Sequence, residues 1–218
     1  SVGGIDTMTR AIEGFVQGES NAVRAFTIPN MLGDSISARV STYLGLNGMT
    51  VNIGAACATG NSAIGIATDM IRLGRADVMV TGGVEASLVP WVAMGFKTMG
   101  AMSKDSDPLR ASLPFHRERN GFVMAEGAGV LVIEALDHAL ARNAPILAEI
   151  SGFGQAADAY HMTAPDPEGI GAIYAMREAL QDASLQTESI DHINAHGTGT
   201  PLNDVIETRA IKKVFGDH

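Results

Sequence analysis

Cysteine is all but absent: Cys57 is the only one in 218 residues. A single thiol excludes an internal disulfide and a cysteine-rich zinc site, leaving either an inert side chain or one used for chemistry. Long apolar runs are missing as well. No stretch of about 18 uncharged apolar residues occurs, so no membrane-spanning helix is expected. The opening residues, Ser1-Val2-Gly3-Gly4-Ile5-Asp6, have neither the basic nor the apolar region of a signal peptide, which predicts a cytoplasmic protein. Positive charge is scarce: 15 Lys and Arg against 24 Asp and Glu give a net charge of −9. That balance argues against nucleic acid or an anionic membrane as the main partner. An acidic partner would need a local basic patch, for which Lys97, Lys104, Arg110, Arg117 and Arg119 are the candidates, although the same cluster also fits solvated surface.

What is present is a globular composition, 46% hydrophobic and 18% charged. Glycine is abundant, 25 residues where ordinary usage gives about 15. Many glycines end apolar runs, which suggests backbone packed closely around a ligand or a second chain. The chain begins at Ser1 and stops at Phe215-Gly216-Asp217-His218 without a closing strand, so it reads as part of a longer protein.

Apolar spacing predicts a helix over 30–43 stopped by Gly45, a strand over 51–55, a helix over 63–73 ended by Gly74, and a strand over 77–81 bounded by Gly82-Gly83. Strand, helix and strand at this spacing form a βαβ unit with a right-handed crossover. The segment 86–118, with Pro90, Pro108 and Pro114, reads as a short helix and a long loop. A strand over 129–133 and a helix over 137–142 follow. The break at Asn143-Ala144-Pro145 separates two expected domains, residues 1–142 and 146–218. The second begins with a strand over 146–153 and a loop. A helix follows with Asp166 at its N-cap and Pro167 at its first position, presenting Ile170, Ile173, Tyr174 and Leu180 on one stripe. A strand over 190–194, a turn over 196–201 and a helix from Asn203 complete the pattern.

Cys57 sits where an apolar run gives way to a helix, so its sulfur meets the positive end of the helix dipole, an environment that favours thiolate. A lone cysteine equally fits a small buried hydrophobe. The stretch Asn194-Ala195-His196-Gly197-Thr198-Gly199-Thr200 is a strand end followed by a loop of small residues and hydroxyls. Ligands in α/β sheets bind at the carboxyl ends of strands, where both Cys57 and His196 fall, although a structural histidine fits there too. The P-loop spacing of Gly and Lys is absent. The remaining histidines show no metal-ligand spacing, so no metal and no cofactor are assigned. Asp204 and Glu207 either complement the dipole of the final helix or anchor the neighbouring loop through hydrogen bonds. Burial of Glu85 beside the Cys57 helix stays open.

Together Ala56-Cys57-Ala58-Thr59-Gly60, the stretch from Arg119 to Gly129, Asp158-Ala159-Tyr160-His161-Met162 and the stretch from Asn194 to Thr200 resemble the β-ketoacyl-acyl-carrier-protein synthases, most closely the elongating type II enzymes of fatty-acid synthesis. The resemblance runs along the whole chain with motif spacing kept. It implies an α/β thiolase-like fold, layered αβαβα and here incomplete, in a homodimer. It also implies an acyltransferase acting on acyl and malonyl groups carried on the phosphopantetheine of acyl carrier protein. Cys57 matches the nucleophile, and His196 one of two histidines that bind the malonyl thioester carbonyl. Thr198 and Thr200 match threonines that hydrogen-bond the phosphopantetheine arm. Phe96 matches an aromatic residue near the pocket mouth, and Val2 a residue gating the acyl tunnel. The resemblance places the second histidine, a lysine and a glycine-rich loop beyond this chain, so residues 1–218 alone are expected to be inactive. The alternatives are a polyketide ketosynthase, a degradative thiolase using coenzyme A, and a non-catalytic chain-length partner subunit, which generally lacks the cysteine.

Overall fold

The structure is a computed structural model that describes residues 4–216, so Val2 lies outside the described residues. Its contacts divide the chain into two units, residues 1–93 with 125–146 and residues 94–124 with 147–218.

In the first unit, α1 (Ile5–Val16) buries Ile5, Ala11 and Gly14 on one face and packs on α2 (Thr27–Met31). The single helix expected over 30–43 is divided. Leu32 turns out of helical conformation at ψ 140, and α3 (Ser35–Leu44) begins after Gly33-Asp34, residues whose backbone freedom and competing side-chain bonds disfavour helix interiors. Gly45 ends α3 in the left-handed region at φ 66, the conformation for which glycine carries no steric cost.

Helix α4 (Thr59–Arg72) buries Ser62, Gly65, Ala67 and Thr68 and packs against β1 (Val78–Glu85). Gly82 and Gly83, expected to end this strand, lie inside it. A Cβ at Gly83 would stand 3.4 Å from the Gly60 Cα, so the missing side chain lets the start of α4 sit close on the strand. Strand β1 pairs antiparallel with β2 (Gly127–Glu134), Val78 opposite Glu134 and Glu85 opposite Gly127. Between the two strands, α5 (Pro90–Thr98) carries the chain from the first unit into the second, and the chain returns to the first unit at residue 125; α6 (Leu136–Ala141) follows β2.

The parallel βαβ unit expected over 51–81 does not form. Residues 51–55 carry neither helix nor ladder, and the partner of β1 is the later strand β2. A strand exists only where a neighbour supplies matching N–H and C=O groups, and no described segment does so for 51–55. The runs 146–153 and 190–194 are likewise outside any strand. At and just beyond the end of the first, carboxylates take main-chain donors: the Phe153 N–H donates to Asp182 and the Gln155 N–H to Glu178, each at 2.9 Å.

Both carboxylates belong to α7 (Ile170–Ala183). This helix starts later than Asp166-Pro167 implied, because Gly169 at φ 66 is its N-cap. Asp166 closes the preceding turn instead, its carbonyl accepting the Gly169 N–H and its side chain the Glu168 N–H, both at 2.8 Å. Of the expected stripe only Ile173 is buried; Ile170 and Tyr174 are exposed. Helix α7 packs on α8 (Pro201–Phe215), whose buried residues are Ala210 and Asp204. Among the described residues, no helix is long and apolar enough to cross a membrane.

Candidate active site

In the first unit Cys57 occupies the 3-10 turn Ala56–Ala58, directly before α4. The turn is built by two local bonds. The Ala58 N–H donates to the Ala55 carbonyl at 2.9 Å, and the Ala55 N–H donates to the hydroxyl of Thr59 at 2.9 Å. Ala56 sits at φ 46, a left-handed conformation that costs a non-glycine residue about 1 kcal/mol. Cys57, the next residue, is exposed. Thr59 is buried beneath it. Glu85 is exposed, its carboxylate accepting the adjacent Ala86 N–H at 3.1 Å.

In the second unit the turn from His196 to Thr200 is fixed by two carboxylates of α8. Glu207 accepts the N–H groups of His196 at 2.6 Å and Gly197 at 2.9 Å through separate oxygens. Asp204, with only 2% of its surface exposed, accepts the Gly199 N–H at 3.1 Å and, from the segment before Phe122, the Phe115 N–H at 2.7 Å. Of the two readings left open by the sequence, dipole complement or loop anchor, the contacts support the anchor. Asn203 bridges the pair, its side-chain nitrogen donating to both carboxylates at 3.2 Å.

Arg119 completes the clasp. Its guanidinium donates to the carbonyls of Thr200 at 3.1 Å and Pro201 at 2.8 Å and stands 3.6 Å from Asp204. The Gly121 N–H donates to the Gly199 carbonyl at 3.0 Å. Gly197 and Gly199 both take positive φ, 53 and 73. A Cβ on Gly197 would stand 3.0 Å from the Phe115 ring, and one on Gly199 3.0 Å from the Gly121 carbonyl, so the turn tolerates no side chain at either position. The outcome is that the hydroxyls of Thr198 and Thr200 meet at 2.8 Å. Thr200 also caps α8, accepting the Asn203 N–H at 3.3 Å. His196 is exposed at the mouth of this turn.

Phe96 packs edge-on against Phe122, ring centroids 5.2 Å apart at 80°. The structure thus gathers Thr198, Thr200 and His196 on one turn of the second unit, which also holds Phe96; Cys57 belongs to the first unit. Sequence reasoning gave no role to Phe115 and treated Arg119 as surface cation. The signal for Arg119 was its place in the Arg119-Asn120-Gly121 stretch. The proposed basic patch is thinner than its residues suggest. Arg119 points inward, and Arg110 is neutralised by Glu118 at 2.7 Å and Asp105 at 3.4 Å. Its bond to Arg110 holds the Glu118 carboxyl below the usual carboxylate range. Lys97, Lys104 and Arg117 remain exposed.

An exposed thiol on a strained turn before a helix, and a histidine on a glycine- and threonine-rich turn held by the buried Asp204 and the half-buried Glu207, are the two reactive features of this α/β protein. The family models for beta-ketoacyl synthase match residues 4–139 with the N-terminal domain and residues 147–218 with the C-terminal domain. The chain belongs to the beta-ketoacyl synthase family, and its fold is thiolase-like. It is 43% identical over 216 residues to 3-oxoacyl-[acyl-carrier-protein] synthase 2 of Staphylococcus aureus, covering 99% of this chain and 54% of that protein. Against the enzyme of the same name from Synechocystis sp. it is 46% identical over 194 residues, 88% of this chain and 47% of that one. A solved beta-ketoacyl synthase from Burkholderia phymatum superposes with a TM-score of 0.90 at 36% identity, covering 98% of this chain and 52% of that chain. A type II polyketide ketosynthase solved with its acyl-carrier protein and a hexaketide gives a TM-score of 0.93 at 34% identity, with 98% and 54% covered. The chain spans about half the length of the relatives it matches.

Proposed function

We propose that this chain carries the acyl-accepting part of a 3-oxoacyl-[acyl-carrier-protein] synthase that elongates fatty-acyl chains. The Cys57 thiolate attacks the thioester carbonyl of an acyl group on acyl carrier protein. The bond to the phosphopantetheine sulfur breaks, and the acyl group remains on Cys57 as a new thioester. Malonyl carrier protein then loses carbon dioxide, and the electron pair of the broken C–C bond passes into an enolate of the thioester. An N–H of His196 stabilises that oxygen as charge develops. The enolate carbon attacks the Cys57 thioester, a C–C bond forms, and the cysteine leaves as thiolate. Thr198 and Thr200 hydrogen-bond the phosphopantetheine arm, Phe96 lines the mouth of the pocket, and Val2 gates the acyl tunnel.

The observation that carries this reading is the exposed Cys57 turn of a chain 43% identical to a synthase of that name along nearly its whole length. The carrier-protein partner is supported by the names of the relatives and by the ketosynthase solved with its carrier. A homodimer and a cytoplasmic location belong to the same proposal, tested by light scattering and by fractionation. The domain division at residues 143–145 is retained as part of it. Turnover is expected from a protein of the relatives' length carrying this sequence, and none from residues 1–218 alone. Incubation of that full-length protein with acyl carrier protein should add the acyl mass to the Cys57 peptide, and Cys57→Ser should abolish condensation. Absence of any adduct at Cys57 would overturn the assignment. Polyketide ketosynthase is the second reading, favoured by the TM-score of 0.93 to the hexaketide enzyme. Product analysis decides between a single two-carbon extension and a poly-β-keto chain.

A further inference from the structure

We infer that Glu207 and Asp204 are separate positioning residues for the two functions of the His196–Thr200 turn; the inference rests on the reading of that turn given above. Glu207 spends both oxygens on consecutive N–H groups, His196 and Gly197. Its carboxylate therefore fixes the backbone from which the imidazole projects. Asp204 instead holds the centre of the turn, at Gly199, and joins it to Phe115 and Arg119. Its Oδ1 also lies 3.5 Å from the Thr198 hydroxyl, within the pair that Thr198 makes with Thr200. A carboxylate is required at both places because every group facing it is a donor. An amide of the same size would present its NH2 to one of those donors and lose that contact.

The division of labour predicts two different kinetic signatures. Glu207→Gln releases the His196 end, so malonyl decarboxylation loses its preset donor. Its kcat should fall about 100-fold, the size of effect that a misplacement of about 1 Å produces. Acylation of Cys57 should stay near wild type, because the Cys57 turn is built by its own local bonds. Asp204→Asn loosens Thr198 and Thr200, which serve the arm of either carrier-bound substrate. KM should rise in both half-reactions while the decarboxylation kcat changes less.

The experiment uses the full-length protein and measures acylation of Cys57 by mass spectrometry, release of carbon dioxide from malonyl carrier protein, melting temperature, and amide hydrogen exchange over 196–200. Glu134→Gln, which breaks an ion-paired cluster elsewhere, is the stability control. Faster exchange over 196–200 with the two separate signatures supports the inference. Unchanged exchange, a decarboxylation loss under about tenfold for Glu207→Gln, or equal losses in both half-reactions that track the melting temperature as in the control, overturns it. Wild-type protein that leaves Cys57 unacylated defeats the synthase reading instead, and hydrogen exchange still judges the two carboxylates.

Discussion

The Asp204 carboxylate accepts the Phe115 N–H at 2.7 Å across 89 positions of sequence. This bond ties the loop that precedes Phe122 to the turn of His196, and it is made by a side chain with almost no contact with water. A buried carboxylate with several N–H donors is costly to remove, because each donor is left without a partner.

Asp204→Ala is therefore expected to destabilise the protein by about 3 kcal/mol, measured as a lower urea midpoint at unchanged slope. Arg119→Met should cost less, since Thr200 and Pro201 carbonyls can turn to water. A double-mutant cycle on the pair should show coupling beyond additivity. Independent, additive losses would mean that the 3.6 Å pair contributes nothing.

Gly154 lies against α7, where a Cβ would stand 2.1 Å from the Ala175 carbonyl oxygen and 2.5 Å from the Ala179 nitrogen. Neither backbone atom can move without shifting the helix. Gly154→Ala should cost about 3 kcal/mol, the upper range for overpacking. Gly127→Ala, with no atom within 4 Å of the added carbon, should differ little from wild type in the same denaturant titration.

Glu134 gives an acid-pH prediction. Hydrogen bonds from Arg142, at 2.7 Å to each oxygen, and from His138 lower its carboxyl from 4.5 to about 2. The folded state then binds fewer protons than the unfolded chain between those values. The stabilisation is complete above pH 4.5 and is lost as pH falls toward about 2. Glu134→Gln should flatten the acid limb of the stability curve over that window and leave its shape near neutrality unchanged. An identical acid limb in both proteins would contradict the assignment.

Ala56 at φ 46 tests the strained turn before the thiol. A β-branched side chain is disfavoured there, so Ala56→Val should destabilise by about 2 kcal/mol. Ala56→Gly removes the clash but adds freedom to the unfolded chain, so its net effect on stability should be under about 1 kcal/mol. Its alkylation by iodoacetamide at Cys57 should change in rate, because the turn is no longer held in one conformation. Equal stability for Val and Gly would show that the turn carries no strain.

Helices were readable in part: α1 was not anticipated, and the start of α7 was set by Gly169 and not by Asp166-Pro167. Gly45 stops α3, and the run after Cys57 becomes α4, packed on β1 through a face whose buried residues are small. Strands were readable only in part. The runs at 77–81 and 129–133 became β1, which starts at Val78, and β2, while apolar runs at 51–55, 146–153 and 190–194 stand outside any ladder. Apolarity and β-branching mark a segment able to pair, but pairing needs a second segment whose presence no local window reveals. The edge of β2 shows the same dependence, with Val130, Leu131 and Val132 all exposed.

The sequence by itself determined the reactive groups. One thiol, one histidine before Gly-Thr-Gly-Thr and an acidic pair one turn into the last helix are fixed by residue type and spacing, and type decides which atoms can attack, donate or accept. Only the tertiary structure decided what holds those groups in place. Asp204 meets Phe115 and Arg119, and Glu207 meets His196 and Gly197, because folding brings backbone donors to both carboxylates; Asp204 is shielded from water, where a hydrogen bond left unmade is costly.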